Sequence, residues 1–242
     1  MRVLITNDDG IESPGLRALC DFASTLGSVT VVAPRREQSG KSHSIDIHNP
    51  FEIRRTEYSG AVDAWRVDST PADCVRFAFD TLGSFDLVLS GVNNGVNVGW
   101  DISYSGTCGA VFESYFFNTP AVAFSVFPAS FSAFTEHVGE IWSFITDNRL
   151  LEKNLLWNVN IPDEASSMKI TRQGGPYYQD WFRTDDGVMY YEVGHSVYKP
   201  SDRKQNYDTD AVLRDRVISI TPLAGGRTEE RVYEELKATA RK

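Results

Sequence analysis

The chain has 242 residues, 24 of them Lys or Arg and 33 Asp or Glu, for a formal charge of −9. Its 41% hydrophobic and 24% charged content is that of a globular chain and excludes disorder and low complexity. A chain this acidic lacks the basic surface that a polyanion requires, which argues against a nucleic-acid polymer as a stable partner, whereas its carboxylates suit a hard cation.

At about 150 residues per domain the length corresponds to roughly 1.6 domains, one α/β unit or a unit with an extension. The three cysteines, Cys20, Cys74 and Cys108, lie far apart and form no Cys-x-x-Cys pair. They offer neither a disulfide framework nor a zinc site, so the expectation is buried thiols in a reducing, cytoplasmic setting. Met1-Arg2-Val3-Leu4-Ile5 is too short an apolar stretch for a signal peptide, and no run approaches a membrane span.

In chain order, Val3-Leu4-Ile5 reads as a buried strand. Ser13-Pro14 is a helix start, followed by Leu16, Leu19, Cys20, Ala23 and Leu26 at helical spacing, with Gly27 expected to close the helix. Val29 to Ala33 is a second strand, and a polar loop runs from Pro34 to Ser44. Strand-like stretches follow around Ile45–Arg54 and Val62–Val67, and Ser69-Thr70-Pro71 opens a helix. Asp86 to Ser90 is apolar enough for a strand covered on both faces. A Gly/Asn loop leads to a helix over Gly106–Phe117, a strand over Ala121–Val126, an amphipathic helix from Phe131 to Ile145, and a strand over Leu155–Ile161. This alternation predicts an α/β fold with a doubly wound, largely parallel sheet. Beyond Pro162, tyrosines, glycines and charges dominate, with strand-like pieces at Met168–Thr171, Val188–Val193 and Val217–Thr221 and a helix over Glu229–Ala240. This second part reads as an extension whose hairpins pair with another subunit: a core over about 1–162 and an extension over about 163–242 of a single domain.

Four loops carry the chemistry. Asn7-Asp8-Asp9-Gly10 leaves the first strand, where open parallel sheets bind ligands, and two adjacent carboxylates there suit Mg²⁺ or Mn²⁺. Taken alone, the tetrapeptide also reads as an Asp-Gly turn with solvated side chains, common in loops. Ser90 to Gly99 carries three asparagines and several glycines after a second core strand, supplying carbonyl oxygens for a cation and close backbone approach for an anion. Tyr104-Ser105-Gly106-Thr107 enters a helix whose free N–H groups suit phosphate, although Ser105 or Thr107 can simply cap it. In Pro34–Ser44, Gly40-Lys41-Ser42 mimics the end of a P-loop, but position 35 is arginine rather than glycine. Arg35, Arg36 and Lys41 therefore read as a solvated basic loop. Cys108 lacks the following arginine that a cysteine phosphatase needs, and no G-x-S-x-G elbow exists.

The assembled loops resemble the SurE family of metal-dependent nucleotide phosphatases. The resemblance rests on Asn7-Asp8-Asp9-Gly10 with Pro14-Gly15, Val31–Pro34 leading to Gln38-Ser39-Gly40, Thr70–Val75, and Ser90-Gly91-Val92-Asn93 with Gly95, Asn97 and Gly99. It continues through Tyr104–Thr107, Asn158–Pro162, Thr171–Gly174 and Ser219–Leu223, in family order over nearly the whole chain. It implies a Rossmann-like core, a swapped C-terminal extension, and homodimers or homotetramers. It implies Asp8, Asp9, Ser39 and Asn93 as ligands of one divalent cation per subunit, with Asp8 and Asp9 catalytic. Asn97, Ser105, Gly106 and Thr107 would line the phosphate pocket. The implied substrates are nucleoside 5′- and 3′-monophosphates, with short polyphosphate as a further class. Ser69 stands where the family has glycine and Asp46 where it tends to threonine, and Asp46 is expected to bear on substrate preference. The nucleophile is metal-activated water or Asp8 itself, water being favoured because a metal-engaged carboxylate is the poorer nucleophile. Two alternatives remain: a haloacid-dehalogenase-type phosphatase, which expects Asp-x-Asp rather than adjacent aspartates, and a nucleotide-binding module without turnover.

Overall fold

The computed structural model describes residues 1–237. Strand β1 (Arg2–Thr6) and helix α1 (Pro14–Ala23) are followed by β2 (Ser28–Pro34), β3 (Ile53–Thr56), β4 (Asp63–Val67) and α2 (Pro71–Phe77). Then come β5 (Leu87–Asn94), α3 (Gly106–Phe116), β6 (Ala121–Val126), α4 (Phe131–Asp147), α5 (Leu150–Lys153) and β7 (Leu156–Ile161). The remainder holds β8 (Met168–Ile170), β9 (Tyr178–Thr184), β10 (Tyr190–Ser196), β11 (Ile218–Leu223) and α6 (Glu230–Leu236).

Nine strands form one sheet in the order β3-β4-β2-β1-β5-β6-β7-β11-β8. Strands β4, β2, β1, β5, β6 and β7 are mutually parallel, while β3 and β11 pair antiparallel at the two flanks. The expected doubly wound, largely parallel α/β sheet is therefore present. From β1 the chain moves outward to β2 and β4, then returns to β5 on the other side. The β1/β5 boundary is thus the topological switch point, where the loops beyond the carboxyl ends part and leave a crevice.

The sheet is buried on both faces. On one, Leu16, Leu19 and Cys20 of α1 and Phe134, Ile141 and Ile145 of α4 pack against β1, β5 and β6. On the other, Cys74 and Val75 of α2 and Cys108, Ala110 and Val111 of α3 cover Leu4, Val88 and Ala123. Continuous apolar strands such as Leu87-Val88-Leu89 have this two-sided burial as their cause. All three cysteines are buried and unpaired.

Several boundaries differ from the sequence expectation. Helix α1 ends at Ala23, not Gly27, because the hydroxyls of Ser24 and Thr25 turn back onto the carbonyls of Asp21 (2.8 Å) and Phe22 (2.7 Å). Helix α2 does open at Ser69-Thr70-Pro71, capped by Thr70, which accepts from the Asp73 N–H at 3.1 Å. Residues 45–52 form no strand, and β3 starts only at Ile53. The hairpin β9–β10 starts at Tyr178, a strand the sequence reading passed over. The predicted terminal helix is seen over Glu230–Leu236; its continuation to Ala240 lies outside the described residues.

Candidate active site

Asp8 lies two residues past the end of β1 and is 3% exposed. Its carboxylate accepts from the Thr107 hydroxyl (2.5 Å) and the Thr107 N–H (3.0 Å), with the Gly106 N–H also directed at it. The start of α3 reaches this carboxylate because residue 106 is glycine: a Cβ there would sit 2.9 Å from Asp8 Cβ and 3.2 Å from Pro71 Cγ. Ser105 caps the helix by accepting from the Cys108 N–H at 3.1 Å. Burial pushes the Asp8 carboxyl above its ordinary value, and the Thr107 bonds oppose that shift. Asp9 is more open and accepts from the Asn94 N–H at 3.1 Å. Burial first, then the charge of Asp8, pushes it up to about 6.

The second wall comes from β5. A register shift against β6 between Ser90 and Asn93 turns the strand end toward Asp9. The Asn93 amide donates to the Gly95 carbonyl (2.6 Å), leaving its own oxygen outside that bond. Asn97 is clamped on three sides. Its N–H donates to Asn160 Oδ1 (2.7 Å), its carbonyl accepts from the amides of Asn158 (2.8 Å) and Asn160 (3.0 Å), and its side-chain amide donates to Ser125 Oγ (3.0 Å). The third wall is the loop after β2, fastened by the Gln38 N–H to the Asp8 carbonyl (2.7 Å) and by the Ser42 N–H to the Tyr104 carbonyl (2.9 Å). On this loop Ser39 donates its hydroxyl proton to Glu37 (2.7 Å).

These walls enclose a cavity of about 680 Å³ that Asp8, Asp9, Ser39, Asn93, Asn97 and Ser105 all line. Residues separated by almost a hundred positions thus converge at the switch point. Gly106 and Thr107 do not line it; they stand behind Asp8. The N–H groups at the start of α3, read from sequence as a phosphate cradle, are instead engaged by Asp8 and Ser105. Asp46 is also elsewhere: its carboxylate accepts from the His48 and Asn49 N–H groups beside a different cavity.

The sequence reading missed the contribution of the extension. Tyr178, Asp180, Glu192 and Gly194 of the hairpin line the same cavity, as do Glu37 and Asp101. Asp208, fully buried, accepts from the N–H groups of Gly99 (3.0 Å), Gly174 (2.7 Å) and Thr209 (2.7 Å), tying the extension to the loop after β5. No spacing in the sequence links these positions to Asp8. Asn158 and Asn160 were readable, since two asparagines inside an apolar strand need polar partners.

Among the described residues no three His, Cys, Asp or Glu side chains converge as a metal-binding group. A cation at this cavity would therefore take two carboxylates and complete its shell from neutral oxygens such as Ser39 and Asn93, a hard-donor set that fits Mg²⁺ or Mn²⁺. Burial holds the Cys108 thiol at about 12, so no thiolate nucleophile is present. No described helix is long and apolar enough to cross a membrane.

Comparison with known proteins agrees with this geometry. The family model described as Survival protein SurE matches residues 3–180. A protein named 5′-nucleotidase SurE from Myxococcus xanthus is 40% identical over 233 residues, covering 92% of this chain and 87% of its own. A protein of the same name from Desulforudis audaxviator is 36% identical over 249 residues, covering 98% and 96%. The crystal structure of the SurE protein from Aquifex aeolicus superposes with a TM-score of 0.81 at 31% identity, covering 99% of this chain and all of that one. With a family model over residues 3–180, a relative 40% identical over most of both chains and a solved structure matched from end to end, the chain belongs to the SurE family.

Proposed function

We propose that this chain is a divalent-metal-dependent phosphomonoesterase that converts nucleoside 5′- and 3′-monophosphates to nucleoside and phosphate. The observation that carries the reading is the convergence of Asp8, Asp9, Ser39 and Asn93 on one cavity at the switch point. Relatives named 5′-nucleotidase over most of the chain supply the substrate class. The four side chains would hold one Mg²⁺ or Mn²⁺ per subunit. Such a cation, when bound, would supply Lewis acidity, offsetting phosphoryl charge and lowering the pKa of an attacking water.

The chain's own groups do the positioning. Thr107 and Gly106 fix Asp8 in one orientation with both oxygens engaged. An oxygen so held is poorly placed to attack phosphorus, which favours water as the nucleophile over an aspartyl-phosphate. Water attacks in line, the bond from phosphorus to the nucleoside oxygen breaks, and the nucleoside leaves with a proton. Ser105 and the clamped Asn97 border the phosphate, while Thr107 acts through Asp8.

Three unpaired cysteines support a reducing, cytoplasmic setting. The aromatic side chains exposed on the hairpin, including Trp181, Phe182 and Tyr190, support a homodimer or homotetramer.

The test is phosphate release from AMP and GMP with Mg²⁺, Mn²⁺ or EDTA. Turnover is expected with either cation and none with EDTA, whereas a binding module without catalysis would hold nucleotide and release nothing. Asp8→Asn and Asp9→Asn should each abolish the release; wild-type turnover in either folded variant overturns the assignment.

A further inference from the structure

The cavity stays acidic well beyond Asp8 and Asp9. Glu37, Asp101, Asp180 and Glu192 also line it, and among the described residues no Lys, Arg or His does. A single divalent cation offsets two of these charges and leaves the carboxylates of the opposite wall in place.

That wall is a built surface. In the β9–β10 register Tyr178 faces Ser196, Asp180 faces Gly194 and Phe182 faces Glu192. Alternation along each strand therefore puts Tyr178, Asp180, Gly194 and Glu192 on one side of the hairpin, and these four residues line the cavity. Glycine at 194 is required for this arrangement, because a Cβ there would overlap Asp180 Oδ1 and the Tyr178 ring. The hairpin base is fastened nearby: the Tyr177 hydroxyl bonds to the Asp101 carboxylate, and the Tyr177 carbonyl accepts from the Val197 N–H at 2.7 Å.

Resting on the nucleotidase reading above, we infer that Asp180 and Glu192 are specificity-determining residues. They select phosphomonoesters whose other end is uncharged and hydroxyl-bearing, and reject substrates carrying further phosphates. Ionised carboxylates only accept hydrogen bonds, so they match the O–H donors of a ribose. A second phosphate placed against them would meet like charge, and because both side chains are exposed this repulsion is weakened by added salt. The exposed rings of Tyr104 and Tyr178 at the same mouth offer faces for a base. Short polyphosphate, one of the substrate classes implied by the family resemblance, is thereby disfavoured in this chain.

The experiment compares kcat/KM for AMP and for inorganic tripolyphosphate in the wild type and in the doubly substituted Asp180→Asn, Glu192→Gln protein, with Mg²⁺ or Mn²⁺. The wild type should prefer AMP by about tenfold or more, and the variant should narrow that ratio at least about fivefold, raising tripolyphosphate turnover while lowering that of AMP. Raising the salt from about 0.05 M to about 0.5 M should improve tripolyphosphate turnover in the wild type more than in the variant, which keeps only Glu37 and Asp101 of the surplus carboxylates. An unchanged ratio, or both substrates falling together as a purely structural effect would make them do, overturns the inference while leaving the nucleotidase reading intact. Absence of AMP turnover in the wild type with either cation overturns both.

Discussion

At the scale of single residues, Asp8 owes its orientation to partners almost a hundred positions away. The hydroxyl of Thr107 donates to it at 2.5 Å and the backbone N–H at 3.0 Å. Thr107→Val keeps the shape and the N–H but removes the hydroxyl donor. A hydrogen bond to a buried charge contributes roughly 1.5–3 kcal/mol, so kcat for AMP should fall about tenfold to a hundredfold with little change in KM. Steady-state kinetics checks this, and an unchanged kcat would remove Thr107 from the positioning of Asp8. The adjacent carboxylates were legible in the sequence because a strand end followed by Asp-Asp is an unusual place for two like charges. Thr107 was legible as part of a motif, but its sequence role as a phosphate contact gives way to a bond with Asp8, a matter of which side chain reaches the helix start first.

At the scale of elements, the loop after β5 is held between the core and the extension by Asp208. Burial holds the Asp208 carboxyl up at about 6, although three N–H groups lean the other way. The folded protein therefore binds this proton more tightly than the unfolded chain does. The resulting stability is fully present below about pH 4 and is lost as pH rises through 6. Measured against Asp208→Asn, wild-type thermal stability should decline by roughly 1–3 kcal/mol between pH 4 and 7 and stay flat above. A difference that does not vary with pH contradicts this. Helix α4 offers a contrast. Ile141, fully buried against the sheet, is remote from the cavity. Ile141→Ala should cost about 2–5 kcal/mol in denaturant unfolding while leaving AMP turnover at low temperature within about twofold. The amphipathic spacing of α4 and the apolar runs of β1, β5 and β6 were plain in the sequence, since burial is periodic. The limits of α1 and β3 were not, because hydroxyl back-bonding and edge pairing overrode local pattern.

At the scale of the whole molecule, the hairpin is two-sided. The side bearing Asp180 and Glu192 closes the cavity and also carries Phe182 and Tyr190 toward the hairpin tip, while Trp181 and Tyr191 are on the other side; all four rings are exposed. So many large aromatics on one short hairpin call for a cover, and a second copy of the chain is the cover we propose. Replacing Trp181 and Phe182 together by aspartate should shift the protein from an oligomer to a monomer in sedimentation or light scattering. A variant of wild-type mass would remove the hairpin from the interface.

The sequence by itself determined the α/β alternation, the two-sided burial of the central strands, and the loops that leave β1, β2 and β5, because periodicity and strand-end chemistry are local. It also placed Asp8 and Asp9 just past the end of a parallel strand, while Ser39 and Asn93 became candidates only through the family resemblance. Only the tertiary structure decided that the start of α3 bonds to Asp8 and that Asp208 locks the extension to the β5 loop. The tertiary structure alone, too, turned Asp180 and Glu192 toward the same cavity. Those pairings join positions about 100 to 185 residues apart, and no spacing rule reaches that far. They follow from the order in which strands stack in the sheet and from the register of one hairpin.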